Sequence, residues 1–270
     1  SGNVGTSNVV DVKVNCKLLD TDNDSVPDEA DPFPNDATKP KIAMSKRVYP
    51  HTSSKLFTMD VDTYQIVEIG NFNGATYSGQ MTDLAIDQYG VLYGVTFDDL
   101  FTCDANTATC YHLATLPQLF NGLTMVPPGT LHPYLDTLIG IANSGSWYKI
   151  TLSSGTAQIS QIGGYGGGYT SSGDAFSIQG VGTFGSVDKP GVGTDVIVSV
   201  DPKTGVVLNE IGPATGYSTL YGLAGWQGVV FGFNETGAVV SIDITTGAAT
   251  PIVQTANAWW GAGVATRLMQ

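Results

Sequence analysis

The stretch Lys55-Leu-Phe-Thr-Met-Asp60 carries the pattern that decides the fold, a short apolar strand that ends at a turn-forming aspartate. Four later segments repeat it, each followed by a turn and a second strand-like run. The closing residues 60, 104, 151, 201 and 243 lie 44, 47, 50 and 42 residues apart, a spacing typical of four-stranded propeller blades. The four repeats are residues 99–104 (Asp-Leu-Phe-Thr-Cys-Asp), 146–151 (Ser-Trp-Tyr-Lys-Ile-Thr), 196–201 (Val-Ile-Val-Ser-Val-Asp) and 238–243 (Ala-Val-Val-Ser-Ile-Asp).

Most of these hairpins are preceded by a further pair of short strands, which completes a four-stranded unit. The pair before the fourth hairpin must come from residues 174–187, which match the pattern least well. The clearer pairs are residues 83–95, 124–141 and 223–233.

The two ends of the repeat region complement each other. The first hairpin has a single candidate strand before it, around residues 42–49, and residues 259–267 form a strand-like run with no hairpin of their own. We therefore predict an all-β fold, a five-bladed β-propeller over residues 40–270 in which the C-terminal strand closes the N-terminal blade. A six-bladed propeller is the alternative if residues 174–187 pair differently. An ordinary antiparallel sandwich would not explain repeats of constant length.

The repeat signature Leu-Tyr-Gly, as in residues 92–94, followed by a strand and the turn Asp-x-x-Thr-Gly, as in residues 201–205, resembles that of secreted bacterial β-propellers. This broad group includes quinoprotein-like repeats. The resemblance implies the fold and assigns no function, because one fold hosts many activities.

Residues 20–31, Asp-Thr-Asp-Asn-Asp-Ser-Val-Pro-Asp-Glu-Ala-Asp, place carboxylates at positions 1, 3, 5, 9 and 12 of a twelve-residue loop. This is the ligand spacing of a calcium loop, because alternating aspartates arrange several hard oxygen ligands around one centre. We predict calcium as the cofactor, with a solvated acidic linker as the alternative. The predicted ligands are Asp20, Asp22, Asp24, the backbone carbonyl of Val26, Asp28 and Asp31.

Aspartate rather than glutamate at position 12, followed by Asp31-Pro-Phe-Pro-Asn-Asp36, resembles the bacterial form of the thrombospondin type 3 repeat. The resemblance covers residues 20–36 and implies that Asp36 is a further calcium ligand. Prolines throughout residues 27–40 disfavour flanking helices, so we do not expect a sensor that opens a groove. We expect the filled loop to stiffen a joint.

Residues 1–16 end in Val10, Val12 and Val14, an alternation that predicts a half-buried strand. The segment resembles the last strand of Ig-like repeats in bacterial surface proteins, which ends Asn-Val-x-x-Val-x-Val-x-Cys. A lone strand must pair with a sheet elsewhere, so we predict a neighbouring subunit or module as its partner, with a frayed tail as the alternative. The predicted units are a strand at 1–16, a calcium-binding linker at 17–39 and a propeller at 40–270.

The cysteines add a covalent prediction. Cys103 and Cys110 flank a turn between two strand-like runs, where hairpin pairing would bring them opposite each other. We predict a disulfide, with two buried free thiols as the alternative. Cys16 is then left over, which suggests an intermolecular bond or a partner in a preceding module.

The amino-acid composition limits the classes of partner that we expect. The chain has 270 residues, with 24 acidic and 11 basic side chains, and its net charge of −13 disfavours nucleic acid and anionic membranes. It has no apolar run long enough to span a membrane, and its first residues lack the features of a signal peptide. A surface rich in Ser, Thr, Asn and Gly, together with a calcium loop, favours an extracellular or cell-surface location.

Catalytic signatures are weak in this sequence. A propeller glycosidase would carry acids on its inner strands, where only Asp83 and Asp174 occur. No serine-nucleophile or phosphate-loop motif is present, and the histidines, His51, His112 and His132, are too scattered for a zinc site. We interpret four recurrent aspartates as turn formers that bond their own backbone, namely Asp60, Asp104, Asp201 and Asp243.

Aromatic side chains are the candidates for ligand contact, because their faces stack on sugar rings and anchor protein contacts. For the tryptophans, packing between blades is the alternative. The candidates are Tyr165, Tyr169, Trp226, Trp259 and Trp260.

The sequence therefore predicts a non-catalytic extracellular calcium-binding module for adhesion or assembly. It could be the subunit of a surface polymer that uses residues 1–16, and its other partners would be a glycan or a surface protein. A lectin-like, carbohydrate-binding propeller is the main alternative, and a propeller glycosidase is a weaker one.

Overall fold

The computed structural model describes residues 18–153 and 155–268, in which the chain forms twenty β-strands and no α-helix. Accordingly, no helix in this part of the chain could span a membrane. The predicted strand at residues 1–16 lies outside the described residues. The strands are β1 (Arg47–His51), β2 (Lys55–Asp60), β3 (Ile66–Asn71), β4 (Asp83–Ile86), β5 (Leu92–Val95), β6 (Phe97–Cys103), β7 (Cys110–Phe120), β8 (Gly122–Val126), β9 (Thr137–Ile141), β10 (Ser146–Ser153), β11 (Thr156–Gly164), β12 (Thr170–Ile178), β13 (Gly182–Asp188), β14 (Val196–Val200), β15 (Val207–Pro213), β16 (Leu220–Trp226), β17 (Val229–Asn234), β18 (Ala238–Ile242), β19 (Ala249–Gln254) and β20 (Gly261–Gly263).

The strands form five antiparallel four-stranded sheets, which are the blades of a propeller. Blades 2 to 5 are built from consecutive strands, β4–β7, β8–β11, β12–β15 and β16–β19. Blade 1 combines β1–β3 with β20, which pairs with β1 from Tyr49↔Gly263 to His51↔Gly261. The prediction of five blades closed by the C-terminal strand is confirmed, and the six-bladed alternative is wrong.

The repeat unit explains how each blade forms. Val, Ile, Phe and Thr fill the strands, and Asp, Asn and Gly occupy the turns between them. The least regular repeat, residues 174–187, does supply a strand pair, β12 and β13. The first strand begins later than expected, at Arg47 instead of near residue 42.

Two local predictions are also confirmed. Cys103 and Cys110 pair directly across β6 and β7 and form a disulfide, with their Cα atoms 4.0 Å apart. The recurrent aspartates bond their own turns: Asp104 Oδ1, for example, accepts the amides of Asn106 and Thr107. These aspartates therefore shape the outer hairpins of the blades.

The innermost strands β20, β4, β8, β12 and β16 contact one another in sequence around the propeller axis. Two buried carboxylates join neighbouring blades there. Asp83 Oδ2 of β4 accepts the Leu123 amide of β8 at 2.6 Å, and Asp174 Oδ2 of β12 accepts the Leu223 amide of β16 at 2.6 Å. We call Asp83 and Asp174 the axial carboxylates.

Glycine permits the inner strands to approach this closely. A Cβ atom at Gly122 would lie 2.2 Å from the carbonyl oxygen of Gly173 in the next blade. At Gly261 in the closing strand, a Cβ atom would lie 2.2 Å from His51 Nε2 and 2.5 Å from Asp83 Oδ1. Any larger residue at these positions would push two blades apart.

Away from the axis, apolar packing holds the blades together. Trp259, which is fully buried, lies between Phe57 of blade 1 and Phe233 of blade 5, with ring centroids 5.1 Å and 5.9 Å away. Burying one such side chain contributes about 1.5–3 kcal/mol. The last segment of the chain thus closes the ring by hydrogen bonds and by packing.

Replacing Gly261 with alanine tests the importance of this closure. We expect G261A to lower the free energy of unfolding by about 1–3 kcal/mol, because the new methyl group overpacks the axis. Urea unfolding followed by tryptophan fluorescence measures the change. G193A is the matched control, because no atom lies within 4 Å of a Cβ atom at Gly193. Equal stability of the two variants would contradict the close packing at the axis.

Candidate calcium site and axial funnel

The acidic loop brings three of its predicted ligands together. Asp20, Asp22 and Asp24 each place a carboxylate oxygen within 4.8 Å of the other two. The backbone creates this arrangement, since Asn23 and Ser25 adopt positive φ angles of 63° and 81° and fold the chain into a tight turn. The turn is supported by the amides of Asn23 and Ser25, which donate to Asp20 at 2.8 Å and 3.1 Å.

Two oxygens of the loop are buried without a hydrogen-bond partner, Asp22 Oδ2 and Asp31 Oδ2. The other oxygen of Asp31 accepts the Phe33 amide at 2.7 Å. Burial, with the added negative charge of Asp24, Asp22 and Asp28, raises the pKa of Asp31 to about 6. A carboxylate in this position is destabilised unless a positive charge lies beside it.

The acidic loop has no basic partner in the described part of the chain, where the ion pairs of Lys and Arg all involve acids outside residues 20–31. A cation would compensate the clustered charge and use the unpaired oxygens. Hard carboxylate oxygens at close spacing are the ligands that calcium takes. The residues present therefore fit a calcium ion.

The other predicted ligands occupy different positions. Asp28 binds back to Thr21, accepting its amide and its hydroxyl, both at 2.7 Å. Val26 donates its amide to Asp24 Oδ1 at 2.8 Å. Asp36 lies outside the three-carboxylate group and accepts from Thr38 and from the Lys39 ammonium, 2.9 Å away. Those contacts lower the pKa of Asp36 to about 2.

The loop is docked on the propeller. The Val26 side chain is only 2% exposed and belongs to the apolar core of blades 2 and 3. The Tyr93 hydroxyl of blade 2 donates to the Ala30 carbonyl at 3.2 Å, and Phe33 packs edge-on against Tyr111 with ring centroids 5.2 Å apart. A filled loop would therefore be held on the side of blade 2.

The axial carboxylates are buried and already engaged. Asp83 is 0% and Asp174 is 1% exposed, and each accepts a backbone amide of the next blade. Burial raises the pKa of both well above the usual range. His51 lies beside them, with Nε2 3.9 Å from Asp83 Oδ1, and its burial lowers its pKa to about 4. Asp83 and Asp174 join neighbouring blades, and all three side chains are shielded from solvent.

The aromatic candidates divide into two groups. Trp259, Tyr165 and Trp226 are 0%, 1% and 7% exposed and belong to the core between blades. This placement favours the alternative interpretation, packing between blades. Tyr169 is half-buried and donates to Glu210, and half-buried Trp260 lines a surface cavity near the propeller axis. Of the five, Trp260 occupies the best position to contact a ligand.

Trp260 belongs to a cavity of about 410 Å³ that we call the axial funnel. All five blades contribute, because the innermost part of its wall consists of residues at or just before the N-terminal ends of the inner strands. These residues are Thr82, Asn121, Ser171, Ser172, Tyr221 and Trp260.

A second layer of the funnel comes from the turns between the second and third strands of the blades. It contains an exposed aromatic side chain, an exposed amide and two exposed carboxylates. Its members are Phe97, Asn143, Asp188 and Glu235. These positions were not predicted from the sequence, although the residue before each inner strand and the turn between the second and third strands recur once per blade.

Comparisons with known proteins found only distant structural similarity. No family model matches the chain, and no curated protein matches it. Among solved structures, the β-propeller domain of Cps50 (Swd1) from Myceliophteria thermophila is 8% identical with a TM-score of 0.44, over 78% of this chain and 70% of that chain. BamB from Moraxella catarrhalis is 14% identical (TM-score 0.37), and the computationally designed protein Ika8 is 15% identical (TM-score 0.36).

The similarities to BamB and to Ika8 each cover 80% of this chain. They cover 61% of the length of BamB and 61% of that of Ika8.

Calorimetric titration of the double variant D22N/D24N tests the calcium site. Asparagine keeps the oxygens that accept the amides of Asp24 and Val26 but removes two charges. We expect calcium to bind the unmodified protein with a Kd of about 10⁻⁴–10⁻³ M, as in extracellular modules, and the variant at least about tenfold more weakly.

The matched control is D62N, because Asp62 is an exposed carboxylate outside the loop that pairs only with Lys46, 3.7 Å away. This variant should bind calcium like the unmodified protein. A D22N/D24N titration curve equal to that of D62N would contradict the predicted site.

Proposed function

We propose that this protein is a non-catalytic extracellular or cell-surface module for adhesion or assembly, in which calcium stiffens residues 20–31, the loop that docks on a rigid propeller. The observation that carries the proposal is the acidic loop itself. Asp20, Asp22 and Asp24 converge, and buried oxygens of Asp22 and Asp31 have no hydrogen-bond partner. A bound cation would supply the missing interaction and turn an acidic segment into a fixed connection.

Two features support an extracellular setting. A surface loop of carboxylates needs abundant calcium to stay filled, and extracellular calcium is abundant enough for sites of modest affinity. The disulfide between Cys103 and Cys110 persists in oxidising compartments. Both features would lose their stabilising role in a reducing cytosol with little free calcium.

The axial carboxylates support a non-catalytic role. A glycosidase needs an acid and a second carboxylate that both reach the substrate. Asp83 and Asp174 instead accept the amides of Leu123 and Leu223 and are shielded from solvent. Their chemistry is used to hold the blades together.

The docked loop supports a role in assembly. Val26 and Phe33 anchor the loop on blade 2, and the Asp28 amide donates to the Leu19 carbonyl at 2.8 Å, which ties the first described residues to the docked loop. Residues 1–16 would pair as a strand with a neighbouring subunit or module, and Cys16 would be available for a bond between chains. This arrangement suits the subunit of a surface polymer.

Deletion of residues 1–16 tests the assembly role. With calcium present, we expect the full chain to form oligomers in light-scattering chromatography and the deletion variant to be monomeric. The variant should keep the melting temperature of the full chain, because the described ring closes through β20 and β1 without residues 1–16.

C16S is the companion variant, since it leaves the strand intact and removes only the thiol. Oligomers that survive in C16S but not in the deletion variant would assign assembly to strand pairing. Oligomers that survive the deletion, or a full chain that stays monomeric, would overturn the assembly role.

A further inference from the structure

Neither calcium binding nor strand pairing involves the side chains that line the axial funnel. Three aromatic side chains from three blades line it, Phe97 of blade 2, Tyr221 of blade 5 and Trp260 at the start of β20. None of the three is fully buried. Aromatic faces that reach solvent inside a concave site are typical of ligand contact, because they offer a flat apolar surface to a partner.

Phe97 is held in an unfavourable backbone conformation at this site. Its φ angle is 67°, in the left-handed region that a bulky residue rarely adopts, and its side chain is 39% exposed. The conformation therefore costs free energy, and the burial of the side chain compensates for little of this cost. Strain of this kind concentrates at functional sites, where the position of the side chain matters more than local stability.

The charged groups of the funnel are both hydrogen-bond acceptors. Asp188 and Glu235 present exposed carboxylates, and no basic side chain is among the described residues that line the cavity. Asn121 Oδ1, also a hydrogen-bond acceptor, has no hydrogen-bond partner. The matching ligand therefore donates hydrogen bonds and carries no negative charge.

We infer that the axial funnel binds a non-acidic sugar unit. Hydroxyl groups around a sugar ring donate in several directions, which suits acceptors that come from blades 3, 4 and 5. The C–H face of the same ring can stack on an aromatic side chain. The volume of about 410 Å³ lies within the range of small-molecule sites, about 300–1,000 Å³.

An organic cation is the competing ligand, because aromatic rings and carboxylates also attract ammonium groups. A quaternary ammonium head donates no hydrogen bond, so it would leave Asn121 Oδ1 unpaired. A sugar would stack on the aromatic side chains and would also donate hydrogen bonds to the polar groups. The site is independent of the calcium proposal, since no residue of 20–31 lines the funnel.

The test uses the full chain and saturation-transfer NMR with a fixed panel: neutral hexoses and pentoses, N-acetylhexosamines, glucuronic acid and choline. We expect saturation transfer to the C–H protons of at least one non-acidic sugar and none to glucuronic acid. F97G is the most informative variant, because glycine accepts the left-handed φ without strain. It should weaken sugar binding at least about fivefold without lowering the melting temperature.

W260A should weaken the same sugar at least about tenfold, whereas Y134A should bind it normally, because Tyr134 is 71% exposed and does not line the funnel. Any one of three results would overturn the inference. The first is no saturation transfer to any sugar, and the second is saturation transfer to choline alone. The third is sugar binding that neither F97G nor W260A weakens, which would place the sugar at another site. Removing calcium with EDTA should leave sugar binding unchanged, so failure of the calcium proposal remains distinguishable.

Discussion

The hydrogen bonds of the axial carboxylates to the neighbouring inner strands are the interaction on which the rest of the structure depends. Asp83 and Asp174 are buried where charge is costly, and each compensates by accepting an amide from the next blade at 2.6 Å. Burial raises the pKa of both carboxyl groups, and the depressed pKa of His51 keeps that side chain neutral in neutral solution. The axis is therefore a packed polar centre.

The surface has two distinct features, and closure of the ring creates one of them. The axial funnel exists because the N-terminal ends of the five inner strands meet around one axis, and its shape follows from the blade positions. The acidic loop is attached through Val26 and Phe33 on blade 2, and the proposed ion would stiffen the loop itself. We therefore expect the propeller to be stable without calcium and the loop to depend on it.

Much of this architecture follows from local sequence patterns. The hairpin at residues 55–60 and its repeats predict the blades, because each strand and turn forms from neighbouring residues and recurs at constant length. The disulfide was predictable for the same reason, since Cys103 and Cys110 flank one turn. The spacing of Asp20, Asp22 and Asp24 likewise predicts their convergence, because the three residues lie within a single turn.

Features that depend on ring closure could not be predicted in this way. Phe97 and Trp260 are far apart in sequence and line one cavity only because β20 returns to blade 1. The burial of Trp259 beside half-buried Trp260 depends on the direction in which that strand enters the ring. Asp83 and Asp174 were candidates for catalysis by position, whereas their role depends on amides of other blades.

Native-state hydrogen exchange, measured with calcium and with EDTA, tests most directly the claim of a ring that closes independently of a calcium-dependent loop. We predict that the Leu123 and Leu223 amides exchange slowly in both conditions, since they donate to the axial carboxylates. The Val26 and Asp28 amides, which close the acidic loop, should be protected only with calcium. Loss of protection at Leu123 and Leu223 in EDTA, or equal protection of the loop in both conditions, would contradict the account.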